Sequence, residues 1–456
     1  MKFRIWLICG LLFCQGVRAS GLADPFSTEE MTSASPCSFT DRGTSPLALA
    51  DVVERALCNN PQTRAAWANA KAQAAQVGIA KSAYLPTLSA SANSSENRNS
   101  SILSRLQGAG NSAYSQTSTT FSLSYLLYDF GARRAALDSA KDTLIALNAT
   151  RDATIQSVFL SALNAYYQLF SSRASVDSAL ESEKSSLEAF NAAESRYRIG
   201  TATLADVLQA KTAYVQAALN RITSQGNEKT AEGVLANAMG MDANHELVIL
   251  PPVSAPGEHF ENNVDRLIME AKASRPDLKA AQAQVEAAKA NVHAAEASGM
   301  PTITLSAGRS FTHSSIYDPY RSNSLGVNVN FPIFTGFNTT YQIRQAEAKV
   351  EATGADVDKI VQQLSLDVWK AYYALITATE TLKSTQTLFD SATQSEKVAL
   401  GRYKAGVGTI VDLLTAESAL ASARQQRVQA TYNWQIDKAS LAQAVGRLNE
   451  IPKKVE

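Results

Sequence analysis

The sequence predicts a mainly α-helical protein that also carries β-strands for a membrane β-barrel. Three observations predict this class. The chain repeats one plan twice, each half contains a long stretch without proline, and each half contains two short segments in which apolar and polar residues alternate. We therefore expect long coiled-coil helices together with four β-strands per chain, in an internally duplicated fold.

The internal duplication follows from comparing the chain with itself. The dipeptide Arg-Tyr at 196–197 recurs 206 positions later at 402–403, and Ala-Asp-Val-Leu at 205–208 recurs at the same spacing as Val-Asp-Leu-Leu. Repetition at one spacing indicates two copies of a supersecondary unit. The expected segments are a first repeat at 47–240, a linker at 241–261, a second repeat at 262–448 and a C-terminal tail at 449–456.

Each repeat is predicted to run helix, strand, polar loop, strand, long helix, tight turn, helix. Proline is absent from Thr87 to Leu250 and from Ile333 to Ile451. Apolar residues in these stretches follow a three-four spacing, which is typical of packed coiled-coil helices. The helix expected from about Ala132 to Ile199 would be roughly 100 Å long at 1.5 Å per residue.

The predicted strands alternate apolar with small polar residues, which suits lipid on one face and water on the other. An ordinary half-buried sheet would show the same alternation. Aromatic residues at strand ends, such as Tyr128 and Phe334, favour a membrane interface. Four strands are too few for a water-filled barrel, so several copies of the chain must contribute. The predicted strands are 85–97, 115–128, 301–313 and 322–334.

The N-terminal residues 1–19 are predicted to be a signal peptide, followed by a periplasmic tail at 20–46. Lys2 and Arg4 precede an apolar run, and Val-Arg-Ala at 17–19 fits the small-x-small cleavage rule. Basic and acidic side chains number 42 each, so a nucleic-acid partner is not expected. No later apolar run is long enough for a membrane-spanning helix.

Cys37 and Cys58 are the two cysteines that follow the predicted signal peptide. Two cysteines this close in an exported protein most often form a disulfide, which would tie the polar tail to the first helical segment. Two buried thiols are the alternative.

The sequence shows no catalytic constellation. It has no Walker loop and no Gly-x-Ser-x-Gly elbow, and its four histidines lie far apart without ligand partners at metal spacing. We therefore expect no enzyme, no metal and no cofactor, so a partner protein must supply the energy.

Taken together, these features resemble the TolC-type outer-membrane efflux protein family. The resemblance rests on Leu-Pro-Thr at 85–87, Met-Pro-Thr at 300–302 and the two Arg-Tyr-x-x-Gly turns. It implies a homotrimer in the cell outer membrane, with a twelve-stranded barrel in the lipid above a long periplasmic α-helical barrel. Such a protein is the exit duct of a tripartite export system. Its partners are a periplasmic adaptor and an inner-membrane transporter such as an ABC exporter.

The resemblance places the entrance of the duct at the turns that end in Gly200 and Gly406. In the family, acidic residues just past these turns line the closed entrance and make it cation-selective, while a tyrosine and a basic residue hold it shut. Asp206 and Asp412 match the acidic positions. The residues expected at the entrance latch are Tyr403, Tyr197, Arg196 and Arg402, of which Tyr403 matches the latch tyrosine.

The sequence departs from the family pattern at two positions near the second turn. Gly408 stands where the family has the latch arginine, and Thr415 stands where it has a second aspartate of the acidic ring. These departures remove one basic group from the latch and one carboxylate from the ring.

The two entrance aspartates also have a structural explanation. Asp206 follows Thr203 by three residues and Asp412 follows Thr409 in the same way, which is the pattern of a capping box at a helix start. The basic residues of the turns would likewise stabilise the ends of the long helices. Both roles can hold together, because a threefold axis would gather the aspartates of all chains at one narrow entrance.

Type I protein secretion is the function that the resemblance favours, since the Cys37 and Cys58 pair resembles the branch that exports large toxin-like proteins. Multidrug or small-molecule efflux through the same architecture is the alternative. A periplasmic coiled-coil scaffold without a pore is an alternative of another class. The alternating strands with aromatic ends argue against that scaffold.

Overall fold

The computed structural model describes residues 24–32, 37, 46–99, 112–245, 247–252, 263–316 and 318–448. The predicted signal peptide and the C-terminal tail lie outside the described residues, as do most of the predicted periplasmic tail and much of the predicted linker. No helix among the described residues is both long and apolar enough to cross a membrane.

Both halves of the chain contain the same order of elements, two helices, two strands and two further helices. The first half consists of α1 (Leu49–Asn59), α2 (Pro61–Ser82), β1 (Thr87–Asn99), β2 (Ser112–Tyr128), α3 (Ala132–Arg198) and α4 (Leu204–Ala238). The second half consists of α5 (Val264–Ser274), α6 (Pro276–Ala297), β3 (Thr302–Ser314), β4 (Tyr320–Asn330), α7 (Asn338–Lys404) and α8 (Ile410–Val445). The long helices α3 and α7 each contain 67 residues.

Each repeat opens with two helices, where the sequence predicted one. The break falls at Asn60 before Pro61 and at Arg275 before Pro276, and both residues before proline have extended backbone. The proline ring disfavours a helical conformation of the residue before it. Proline itself suits the first turn of the helix that follows.

The four strands form one antiparallel sheet in the order β1-β2-β3-β4. An apolar row crosses it through Leu88, Leu123, Ala307 and Leu325, and the neighbouring row is small and polar. Strand β4 ends at Asn330, four residues before the predicted end. Its last predicted residues include Pro332, which has no N–H for the strand ladder.

The chain divides into two compact units. Among the described residues, the strand unit contains 24–32, Lys71–Leu144 and Ala290–Arg344, and the helix unit contains 37, 46–70, Ile145–Lys289 and 345–448. The strand unit has a small core around Val77. The helix unit has several separate apolar clusters distributed over its helices.

Two clusters of the helix unit lie at equivalent places in the two repeats. One contains Tyr166 and Leu235, and the other contains Leu364 and Leu441. Tyr166 donates a hydrogen bond to the Leu250 carbonyl oxygen at 2.8 Å, and burial raises the pKa of its hydroxyl to about 12. These clusters hold the long helices beside the shorter helices that begin and end each repeat.

Candidate entrance at the paired helix turns

Two equivalent turns connect α3 to α4 and α7 to α8 in the helix unit. Gly200 has a φ of +80° and donates its N–H to the Tyr197 carbonyl at 2.9 Å. Gly406 has a φ of +82° and donates to the Tyr403 carbonyl at 3.0 Å. Left-handed backbone at a helix C-terminus favours glycine, so these two residues allow the chain to reverse immediately after each long helix.

A capping box begins the helix that follows each turn. Thr203 Oγ1 accepts the Asp206 N–H at 3.2 Å, and the Asp206 carboxylate accepts the Thr203 N–H at 2.8 Å. Thr409 and Asp412 make the same pair of bonds at 3.1 and 3.2 Å. Hydrogen bonds from the Thr409 side chain and backbone lower the pKa of Asp412, with a smaller contribution from the positive charge of Arg402. Both aspartates therefore stabilise helix starts in this structure.

Tyr403 lies in a hollow formed by Ala189, Ala193 and Ala210, which we call the first hollow. Only 2% of Tyr403 is exposed. These three alanine side chains are small, so they leave room for the tyrosine ring between the helices. The second turn is thereby inserted against the α3–α4 hairpin, and Ile410 is buried in the same cluster.

Arg196 connects the first turn directly to the second. Its Nη1 donates to the Tyr403 carbonyl oxygen at 2.7 Å, and its Nη2 donates to the Thr201 carbonyl at 3.3 Å. The guanidinium carbon lies 4.8 Å from the centre of the Tyr403 ring, within the range of a cation–π contact. One arginine therefore binds the backbone and the ring of the opposite turn simultaneously.

The Tyr403 hydroxyl is buried and has no hydrogen-bond partner among the described residues. Burial raises the pKa of this hydroxyl, the nearby Asp206 charge also raises it, and Arg196 lowers it. The hydroxyl is therefore neutral at physiological pH. The contact between the turns depends on the tyrosine ring and carbonyl, because the hydroxyl donates to no described group.

Tyr197 and Arg402 do not take part in the contact that Arg196 and Tyr403 make. Tyr197 is 44% exposed, and the exposed Arg402 side chain donates no hydrogen bond to any described residue. At Gly408, an added Cβ would lie 3.1 Å from the Arg402 Cβ, so the chain closely approaches this position. The structure therefore brings together Arg196 and Tyr403 but leaves Tyr197 and Arg402 outside their contact.

Glu417, which no sequence pattern pointed out, is a half-buried carboxyl group above the turns. Glu417 Oε2 accepts a hydrogen bond from Ser186 at 3.3 Å, whereas Oε1 is buried without a described partner. Burial raises the pKa of Glu417 to about 7, and the negative charges of Glu396 and Glu188 add to this. The position of Glu417 beside Ala416 in the apolar spacing of α8 is the signal that could have identified it.

Two further features concern the predicted site chemistry. Cys37 and Cys58 form a disulfide with a Cα–Cα distance of 5.6 Å, which joins residue 37 to α1. Among the described residues, no group of three or more histidine, cysteine, aspartate or glutamate side chains could hold a metal ion.

Comparison with known proteins identifies the family of the chain. The family model described as "Outer membrane efflux protein" matches residues 52–241 and 267–447. Protein CyaE of Bordetella pertussis is 30% identical over 456 residues, covering 98% of this chain and 95% of CyaE. Toxin and drug export protein A of Aggregatibacter actinomycetemcomitans is 27% identical over 387 residues, covering 84% of this chain and 82% of that protein.

The fold is also that of a solved outer membrane channel. The crystal structure of the Campylobacter jejuni CmeC outer membrane channel matches with a TM-score of 0.79 at 18% identity, covering 88% of this chain and 85% of CmeC. The matches span both repeats and confirm the resemblance that the proline junctions and the Arg-Tyr-x-x-Gly turns indicated. The chain belongs to the outer membrane efflux protein family, and it is an outer-membrane channel protein of tripartite systems rather than an enzyme.

Proposed function

We propose that this outer-membrane channel is the homotrimeric exit duct of a type I protein secretion system. A periplasmic adaptor and an inner-membrane transporter such as an ABC exporter supply the cargo and the energy. The relative named Toxin and drug export protein A supports export as the function. Its name gives toxins as one kind of cargo. The disulfide between Cys37 and Cys58 supports protein secretion as the function, because this cysteine pair resembles that of the family branch that secretes proteins.

The sheet supports a barrel that is completed by other copies of the chain. Strands β1 and β4 are the two edges of the sheet, and each leaves one side of its backbone without a strand partner among the described residues. Leu88 on β1 is 75% exposed and Leu325 on β4 is 78% exposed, although both belong to the apolar row. Edge pairing with further copies satisfies the backbone, and lipid covers the apolar face.

The contact between Arg196 and Tyr403 carries the proposed mechanism at the entrance. In the closed state this arginine holds the two turns of one chain together. An adaptor that binds the helices shifts the population toward an open state in which the turns separate. Asp206 and Asp412 of all chains form an acidic ring at this entrance and favour cations, in addition to capping their helices.

Small-molecule efflux is a second candidate, because the name of the same relative also includes drugs. Deletion of the gene in the organism that produces the protein distinguishes the two. We expect the loss of specific proteins from the culture medium, restored by the full-length gene, and unchanged susceptibility to drugs and dyes. An unchanged set of secreted proteins together with increased drug susceptibility would contradict protein secretion and support efflux.

A further inference from the structure

We propose that the contact between the two turns within one chain is repeated between chains, with Arg402 binding Tyr197 of the partner subunit. The inference rests on the proposed trimer and adds the residues that join its subunits at the entrance.

The contact within one chain supplies the template. The α3–α4 hairpin provides the first hollow, and the second turn inserts Tyr403 and Ile410 into it. Arg196 at the rim of the hollow binds the carbonyl oxygen and the ring of the inserted tyrosine. The template therefore has three parts, a hollow of small residues, an apolar insertion and an arginine that closes over it.

The second hairpin contains the same hollow and the same arginine 206 positions later. The residues equivalent to the first hollow are Ser395, Ala399 and Ala416, which we call the second hollow, and the residue equivalent to Arg196 is Arg402. These four residues line one groove of the helix unit. The groove is open in the single chain, and Arg402 is exposed beside it.

The first turn contains the insertion that the second hollow lacks. Tyr197 and Leu204 are equivalent to Tyr403 and Ile410. Tyr197 is 44% exposed and Leu204 is 53% exposed, whereas their equivalents are each only 2% exposed. Each chain therefore presents one unfilled hollow and one exposed insertion of the matching kind.

A second copy of the chain is the occupant that fits this surface. Contact between the insertion of one chain and the hollow of the next is head-to-tail, and such contacts close into a ring when the rotation between copies permits. Around the ring, hairpins of the first and second repeats alternate. Every arginine of the Arg-Tyr pairs then closes over a tyrosine, half of them within chains and half between chains.

Engineered disulfides test the contact between chains. In the full-length protein purified in detergent, we combine Leu204→Cys with Ala416→Cys, the equivalents of Ile410 and Ala210. After mild oxidation with copper phenanthroline, we expect covalent dimers and trimers on a non-reducing gel. The matched control combines Ala210→Cys with Ile410→Cys, which share the cluster within one chain and should oxidise without a change in chain mass.

The mass of each protein before oxidation separates the possible failures. A trimer by light scattering whose Leu204→Cys and Ala416→Cys pair keeps free thiols, while the control pair oxidises, would overturn the inference and leave the proposed trimer intact. A monomer before oxidation would contradict the trimer itself, and the inference with it.

A matched pair of arginine variants tests the role of the guanidinium. We expect Arg402→Met and Arg196→Met to raise the open-to-closed ratio in planar bilayers by a similar factor, roughly tenfold or more, as the loss of a charge-assisted hydrogen bond implies. Wild-type gating of Arg402→Met beside altered gating of Arg196→Met would show that Arg402 binds nothing at this interface and would overturn the inference.

Discussion

Arg196 joins the two turns of one chain, because its guanidinium binds both the Tyr403 carbonyl oxygen and the Tyr403 ring. The Arg-Tyr-x-x-Gly pattern identified it as a residue of the entrance turn, with stabilisation of the helix end as its structural explanation. The structure shows that its guanidinium binds Tyr403 across the two repeats. This partner could not be predicted, because the contact depends on how two hairpins pack rather than on local spacing.

The Tyr403 side chain is expected to act through its ring. Tyr403→Phe removes a buried hydroxyl that has no described partner, so we expect a stability change within about 1 kcal/mol and unchanged conductance. Tyr403→Ala empties the first hollow and should lower the free energy of unfolding by roughly 3–5 kcal/mol. Urea unfolding followed by circular dichroism measures both. Equal losses in the two variants would show that the hydroxyl carries the contact.

The capping and selectivity roles of the entrance aspartates can be separated. Replacing Asp206 and Asp412 together with asparagine removes charge from the proposed ring, so we expect lower cation preference in reversal-potential measurements. Replacing Thr203 and Thr409 together with alanine keeps the charge but removes the caps, which costs about 0.5–2 kcal/mol per helix. If the asparagine variant keeps full cation preference, the aspartates are caps alone.

Glu417 makes stability depend on pH in a direction opposite to that of most carboxylates. Because burial raises its pKa from 4.5 to about 7, the folded protein binds a proton that the unfolded chain releases, and this group's contribution to stability falls as pH rises through that interval. We expect Glu417→Gln to unfold at a higher temperature than wild type at pH 8 and to differ less at pH 4.5.

Thermal unfolding across this pH range, with the exposed Glu181→Gln as the matched control, measures the effect. The same difference between Glu417→Gln and wild type at every pH, or a difference of the same size in the control, would rule out titration of Glu417 as the cause.

At the scale of elements, the long helices were predictable and their junctions were less so. The three-four spacing and the absence of proline gave α3 and α7, because a long periodic signal is strong. The breaks at Asn60 and Arg275 depend on the single residue before a proline, and the sequence pattern did not predict them. The early end of β4 has a similar local cause at Pro332.

The C-terminal end of α8 depends on a glycine that contacts another helix end. Gly446 has a φ of +84°, and an added Cβ would lie 2.7 Å from Ser274 Oγ. We expect Gly446→Ala to lower the free energy of unfolding by at least about 1 kcal/mol, since both the backbone and the contact oppose a side chain.

Gly354 within α7 is the matched control, because an added Cβ there meets nothing within 4 Å. Gly354→Ala should raise stability by about 0.4–1 kcal/mol through the smaller entropy of the unfolded chain. Urea midpoints of the two variants test this pair. Stabilisation by both substitutions would mean that Gly446 is not constrained by its neighbours.

At the scale of the whole molecule, the duplicated plan was visible in the sequence and the placement of polar groups was not. The spacing of 206 positions predicted two equivalent turns, and both are present with left-handed glycines. The sequence could not show that Tyr403 is buried while its equivalent Tyr197 is exposed. Equal sequence patterns thus occupy unequal environments in one chain, as expected when half of the contacts are made with other copies.

The entrance latch is tested most directly by single-channel conductance of the detergent-purified protein in planar bilayers, with wild type compared to Arg196→Met. We expect a small, cation-selective conductance from the wild type, because the turns are held together, and a larger conductance from the variant. A wild-type channel that is already fully open, or a variant that conducts no better than wild type, would contradict an entrance held closed by this arginine.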